Sequence, residues 1–137
     1  MMKETIKKKL IDAAYAVIKS ENLPIPKKIW IRTSLKGTIK TIGTCKHWKT
    51  IGDFKIIVNT TKARWFEDED GIYFDKKGNK YRRAGFGVER NDEEVIETLA
   101  HEIAHLKFWN HGPQHISYTK EILKKIEEKI KPLYLSS

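Results

Sequence analysis

Apolar residues recur at helical spacing through the first twenty positions of the chain. Ile6, Leu10, Ala13, Ala14, Val17 and Ile18 share one face, which predicts an amphipathic helix over 3–20. Pro24 and Pro26 end that pattern and force an extended entry to the next element. From Lys28 to Leu35 apolar and polar residues alternate, the period of a half-buried strand, and Gly37 marks a turn. A second strand is predicted over 38–44, and FKIIVNT at 54–60 is the strongest strand signal in the chain. Residues 64–87 read as an aromatic-rich excursion whose KKGN turn folds Ile72–Asp75 against Lys80–Ala84 as a hairpin. The acidic run EDEDG within it lacks the alternating ligand spacing of a calcium loop and reads as a solvated turn. Helical spacing returns with Val95, Ile96, Leu99, Ile103 and Leu106. That predicts a helix from a cap at Asn91 or Asp92, with Glu93 and Glu94 in its first turn, to about Trp109. A final helix is expected over 115–131, burying Ile116, Ile122, Leu123, Ile126 and Ile130, with Pro132 ending it and a tail over 132–137. The order is helix, strands, helix, helix. It predicts one α+β domain over 1–137, with an antiparallel or mixed sheet and a closing C-terminal helix.

Composition narrows the class of protein. At 137 residues, 39% apolar and 33% charged, the chain suits one globular core, and no apolar run approaches the length of a membrane span. The opening MMKETIKKK followed by LIDAAYAVI superficially resembles a signal peptide, but Asp12 and Lys19 suit an amphipathic helix better. Cys45 is the single cysteine, which excludes an internal disulfide and fits a reducing compartment, so a cytoplasmic protein is the expectation; a monomer is expected as well. The net charge of +9 is uneven: residues 27–62 carry nine Lys or Arg against one acid, Asp53. Lys27, Lys28, Arg32, Lys36, Lys40, Lys46 and Lys49 in that stretch form a candidate surface for phosphate backbones, interleaved with Trp30 and Trp48. A lysine-rich solvated sheet face with the tryptophans in the core would give the same pattern.

One motif carries candidate chemistry. His101–His111 reads HEIAHLKFWNH, an HExxH with a further histidine six positions on. Residues four apart lie one turn apart on one helix face, so His101 and His105 can hold one ion together. Glu102 is one step round the helix, beside such an ion, where a general base must stand to take a proton from water. His111 lies beyond a straight helix and needs a turn to come back, for which Gly112 and Pro113 are suited. The two HExxH histidines also fall roughly opposite the apolar stripe of Leu99, Ile103 and Leu106, and four of the five histidines lie between 101 and 115. A catalytic zinc site needs three protein ligands and an open fourth position.

HEIAHLKFWNHGP resembles the SprT-like zincin families, which include Spartan-type DNA–protein crosslink proteases and YgjP/WLM-type metallopeptidases. The spacing of five residues between the second and third histidines matches the YgjP type, and GTC at 43–45 before the GDFKIIVN strand resembles a segment of that group. The resemblance covers about 38–115. It implies a zincin-like domain with one Zn2+ on His101, His105 and His111, Glu102 as general base, and peptide-bond hydrolysis of protein substrates, DNA-associated proteins among them. It further implies that Ile56, Ile57, Val58 and Asn59 form an edge strand that pairs with extended substrate. Gln114 and His115 depart from the family pattern, and the 64–87 excursion is longer than a minimal member has.

Alternatives stay open at several positions. His115 is a further candidate metal ligand, a replacement for His111, a transition-state group, or an exposed residue at a helix start. Tyr118 is a candidate electrophilic hydroxyl, or a packed tyrosine, and Glu121 a weaker candidate ligand. Cys45 with His47 could touch a metal, although a small buried cysteine is the simpler reading. The same histidine spacing occurs in YbeY-type metal-dependent ribonucleases, whose motif has glycine where Glu102 stands here. A latent or non-catalytic zinc-bound module, its cleft occupied by the 64–87 hairpin or the 132–137 tail, is a third reading.

Overall fold

A computed structural model of the chain describes residues 2–32, 43–48, 53–65, 72–82 and 84–135. Helix α1 spans Glu4–Ser20, and its predicted apolar face is buried. It closes with a Schellman arrangement: Leu23 N–H reaches the Ile18 carbonyl at 3.1 Å and Asn22 N–H the Lys19 carbonyl at 3.1 Å. Asn22 takes the left-handed conformation (φ 55°) that such an ending requires.

Three strands come next and form one sheet: β1 (Lys28–Arg32), β2 (Gly43–Trp48) and β3 (Asp53–Asn59). Their order is β1-β3-β2, with β1 parallel to β3 and β2 antiparallel to it, so the sheet is mixed. Strand alternation sends Ile29, Ile31, Ile56 and Val58 inward to a core shared with the helices. Ile57, one position out of phase, is buried outside that cluster. The expected second strand over 38–44 falls mostly outside the described residues, and β2 begins at Gly43.

The expected edge strand is a central one. Ile56, Ile57, Val58 and Asn59 pair with Ile29–Arg32 on one side, and Ile56, Ile57 and Val58 pair with Cys45, Thr44 and Gly43 on the other. A strand with neighbours on both sides has its backbone groups committed, so β3 has no free edge for a substrate. Among the described strands the edges are β1 and β2, and β2 is the one that packs against α2.

The 64–87 excursion is a two-part ribbon. β4 (Thr61–Trp65) pairs antiparallel with β7 (Ala84–Glu89), and β5 (Ile72–Phe74) with β6 (Lys80–Arg82). The predicted hairpin is present, with Gly78 at φ 84° and Asp75 Oδ1 accepting from Lys77 N–H at 2.9 Å and Asn79 N–H at 2.8 Å.

Helix α2 spans Asp92–Ala104 and α3 spans Pro113–Leu135. Asn91 is the cap of α2, its side chain accepting from Glu94 N–H at 2.8 Å. α2 packs against β2 and β3 and α1 against β1, while α3 packs on α1 and α2. Three expectations need correction. α2 ends five residues before Trp109, because the chain tightens there to hydrogen bonds three residues apart. α3 continues past Pro132, with one turn left in which the lost N–H matters little. Ile116 is 56% exposed, because it falls outside the arc that faces α2. No helix among the described residues is long and apolar enough to cross a membrane.

Candidate metal centre

The site is assembled by the last turn of α2, the turn after it and the first turn of α3. His105 N–H bonds the Glu102 carbonyl at 3.2 Å, Leu106 N–H the Ile103 carbonyl at 2.9 Å and Lys107 N–H the Ala104 carbonyl at 3.1 Å. This tightening buries Leu106 and swings the chain outward, and Gly112 N–H then bonds the Asn110 carbonyl at 3.0 Å. Gly112 makes its turn without a left-handed φ, which among the described glycines only Gly78 adopts. Pro113 opens α3 at the one helical position where its missing N–H and fixed φ suit the geometry.

The turn returns His111 to the HExxH face. Its Nε2 lies 3.1 Å from His101 Nε2 and 2.9 Å from His105 Nε2. The corresponding ring centres are 5.0 Å and 4.6 Å apart, so the rings converge at their Nε2 tips. A tetrahedral zinc with Zn–N of about 2.0–2.1 Å sets its ligand nitrogens roughly 3.3 Å apart, within a few tenths of an ångström of this spacing. His105 Nδ1–H donates to the Phe108 carbonyl at 3.2 Å, which leaves its Nε2 lone pair on the converging side. Burial, then the neighbouring imidazoles, hold His101 down at about 4. Burial and His115 lower His105 as well, so both rings stay neutral and able to ligate near neutral pH. The donor set and its spacing fit a divalent transition metal.

Glu102 lies beside this cluster, 4% exposed, with Oε1 3.9 Å from His101 Nε2. Its Oε2 is buried with no hydrogen-bond partner among the described residues. Burial pushes the carboxyl up to about 7. An acid poised there can both take and return a proton near neutral pH.

A cleft of about 310 Å³ opens over the cluster, lined by Gly43, Cys45, His101, Glu102, His105, Trp109 and His111. A second lobe of about 400 Å³ shares Gly43, His101 and Glu102 and is walled by Thr98, Thr119, Lys120 and Leu123. A larger groove, about 960 Å³, lies at the other end of α2 and contains no histidine. Two of the cleft residues were not singled out from sequence. A Cβ on Gly43 would stand 2.5 Å from Thr98 Cγ2 and 3.2 Å from Glu102 Cγ, so only glycine lets β2 lie this close to α2. Trp109 is 53% exposed, its ring 6.0 Å from that of His105 and 6.5 Å from that of Phe54. The signal for Trp109 was its place between the second and third histidines. Gly43 gave a signal only as part of GTC.

The other candidates separate. His115 is 1% exposed and joins the cluster, with one ligand atom from each of the four histidines lying within 4.8 Å. Tyr118 points away from the cluster: buried, it donates to Glu21 Oε1 at 3.0 Å, and burial raises its hydroxyl. Glu121 is exposed on α3 and outside the cluster. Cys45 lines the cleft, half-buried, its thiol pushed up to about 12 by burial and then by Glu102, and it too lies outside the ligand set. Lys27, Lys28 and Arg32 are exposed on and before β1, and Lys46 stands opposite Lys55 in the β2–β3 register. Lys36, Lys40 and Lys49 lie outside the described residues. No family model matches the chain, and neither a curated protein nor a solved structure matches it.

Proposed function

We propose that this domain is a zinc-dependent endopeptidase of the SprT-like zincin kind, with His101, His105 and His111 as ligands and Glu102 as general base. The observation that carries the reading is the convergence of three Nε2 atoms beside a buried carboxyl raised to about 7. A zinc ion on the three imidazoles would supply Lewis acidity toward a scissile carbonyl and an acidified water. Glu102 takes the proton of the attacking water at Oε1, the oxygen 3.9 Å from His101 Nε2, and delivers it to the departing amine nitrogen as the C–N bond breaks. His105 is held for its role by the Phe108 carbonyl. β2, the sheet strand beside α2, is the element suited to lie along an extended substrate, the part that the sequence pattern suggests for β3.

The outer face of the sheet supports DNA-associated proteins as the substrate class. Lys28 and Lys55, paired across β1 and β3, place their Nζ atoms 5.1 Å and 4.0 Å from the Trp30 ring centre, and Arg32 lies further along β1. An aromatic ring ringed by cations suits phosphate and base contact, and such binding would weaken steeply with salt. A YbeY-type ribonuclease gains nothing from the buried Glu102 carboxyl, which a glycine at that position would lack.

The test compares metal content and casein cleavage in the wild type and Glu102→Gln. Zinc in both, with cleavage by the wild type alone, is expected. Equal cleavage by the variant would overturn the mechanism, and cleavage of RNA but of no polypeptide would favour the nuclease.

A further inference from the structure

We propose that His115 is a positioning residue that locks the metal-binding turn, rather than a fourth ligand. The inference rests on the metal-binding part of the proposed function and not on peptidase activity. His115 lies in the first turn of α3, 1% exposed, between exposed Gln114 and exposed Ile116. An imidazole withdrawn from water this fully needs a partner for its N–H. It finds one in the backbone of α2, with Nε2 3.0 Å from the His101 carbonyl oxygen. A carbonyl only accepts, so the ring carries its hydrogen on Nε2 and its lone pair on Nδ1.

The acceptor is the carbonyl of the first candidate ligand. In a continued α-helix it would take the His105 N–H, four residues on. Here that N–H has moved to the Glu102 carbonyl, because the helix tightens to make the turn toward His111. His115, fourteen residues along the chain, fills the vacated place. The tightening that lets three histidines converge thus leaves a carbonyl without its helical donor, and α3 returns a side chain to satisfy it.

Ring geometry separates His115 from the ligands. Its ring lies 4.1 Å from that of His105 with an interplanar angle of 26°, a face-to-face contact. Imidazole lone pairs lie in the ring plane, so two stacked rings direct them along nearly parallel sheets. They do not meet on one ion about 2.0–2.1 Å from each nitrogen. The angle alone does not decide, since His101 and His111 lie at 33° and still bring their Nε2 tips to 3.1 Å; His115 differs in lying face to face on His105 and in committing its Nε2–H to the His101 carbonyl. The edge of His101 also meets His115, with ring centres 4.5 Å apart at 78°. One buried ring therefore touches both HExxH imidazoles, and its N–H holds the backbone between them.

Two variants and one measurement on the wild type test this. His115→Gln places an amide N–H where Nε2–H stands, and His115→Phe keeps the ring and removes the donor. Zinc affinity, by chelator competition, should fall by about 10- to 100-fold in His115→Phe and stay within a few-fold of wild type in His115→Gln. The visible spectrum of the Co2+-loaded form should keep its band pattern in both. Long-range 1H–15N NMR of the zinc-loaded wild type should show Nε2–H on His115, with Nδ1 lacking the shift of a coordinated nitrogen. An affinity in His115→Phe equal to wild type reduces the ring to packing and overturns the proposal. A coordination shift at Nδ1, or a changed Co2+ spectrum in His115→Gln, makes His115 a ligand and overturns it too. Should His115→Phe fail to fold by circular dichroism, the NMR and His115→Gln results still decide. A wild type that binds no zinc removes the metal reading itself, whereas a zinc-binding protein without peptidase activity leaves this inference standing.

Discussion

Removing the charge of Glu102 should stabilise the metal-free protein while abolishing its chemistry. The carboxyl is 4% exposed, its Oε2 has no hydrogen-bond partner among the described residues, and burial lifts it from an ordinary 4.5 to about 7. Because the folded-state value lies above the unfolded one, the fold favours the protonated acid. The stability tied to that proton is fully present below about pH 4.5 and is lost as pH rises through about 7. At pH 8 both states are ionised, and the gap corresponds to about 3 kcal/mol against folding. At pH 5 it is under about 1 kcal/mol, and at pH 4 it is close to zero. Glutamine has nearly the same shape and no charge to bury, so Glu102→Gln should recover most of that loss. Urea denaturation of chelator-treated wild type and variant at pH 4, 6 and 8 is the assay. The curves should nearly coincide at pH 4, and at pH 8 the variant should be more stable by roughly 2–3 kcal/mol, a rise in Tm of about 6–10 °C. A difference that does not change with pH, or a variant less stable at pH 8, would refute the claim that the carboxylate is buried against its own charge.

Other outcomes rest on the same geometry. Gly43→Ala drives a methyl against Thr98, whose hydroxyl is held by Arg90 and the Glu94 carbonyl, so about 1–3 kcal/mol of stability should be lost in denaturant titration, with Glu102 displaced and turnover reduced. Trp109→Ala should raise KM several-fold for peptides with a large apolar side chain near the cleaved bond and leave zinc content unchanged, as measured by steady-state kinetics and metal analysis. Tyr118→Phe removes a hydroxyl bound to Glu21 and remote from the cluster. It should leave kcat within about two-fold of wild type, and a loss of a hundred-fold would return Tyr118 to the mechanism. Zinc added to chelator-treated protein at 100 times its Kd should stabilise it by about 2.7 kcal/mol in thermal melts, and an unchanged Tm would contradict the assignment.

The sequence made the helices and three of the four cluster histidines legible because both depend on local spacing. The period of Leu10, Ala14, Val17 and Ile18 in α1, and of Val95, Leu99 and Ile103 in α2, survives in the fold because each stripe faces the same shared core. HExxH is legible for the same reason: four residues make one turn. What depends on distant partners was not readable. FKIIVNT gives an equally strong strand pattern at the centre or the edge of a sheet, since pairing is decided by β1 and β2 and not by its own residues. Gly43 carried no sign that it would face Thr98 and Glu102, more than fifty residues later. The role of His115 was ambiguous for the same reason: its partner is a carbonyl whose availability depends on where α2 stops. Trp109 was assigned to a helix because nothing in LKFW marks the tightening that ends α2 at Ala104.

These contacts also explain how helix α2 is held in place without an ion. Helix α2 is fixed at its start by the Asn91 cap and by Arg90, buried beneath it, whose guanidinium donates to the Asn59 carbonyl at 2.8 Å and the Glu94 carbonyl at 3.0 Å. That pair of bonds ties the helix to the end of β3. Midway, Thr98 and Glu102 rest on the backbone of β2 at Gly43, where no side chain intervenes. At its end, His115 closes the loosened carbonyl and stacks on His105. Leu99, Ile103 and Leu106 meanwhile anchor the opposite face in the core. His101 and His105, the candidate ligands on and just after α2, are therefore held by apolar packing and hydrogen bonds to other elements. In a small zinc module without such a core the ion supplies the folding energy. Here the core supplies it, so an ion on the proposed ligands would not be needed for the fold, and the buried carboxyl stands beside them before any ion binds.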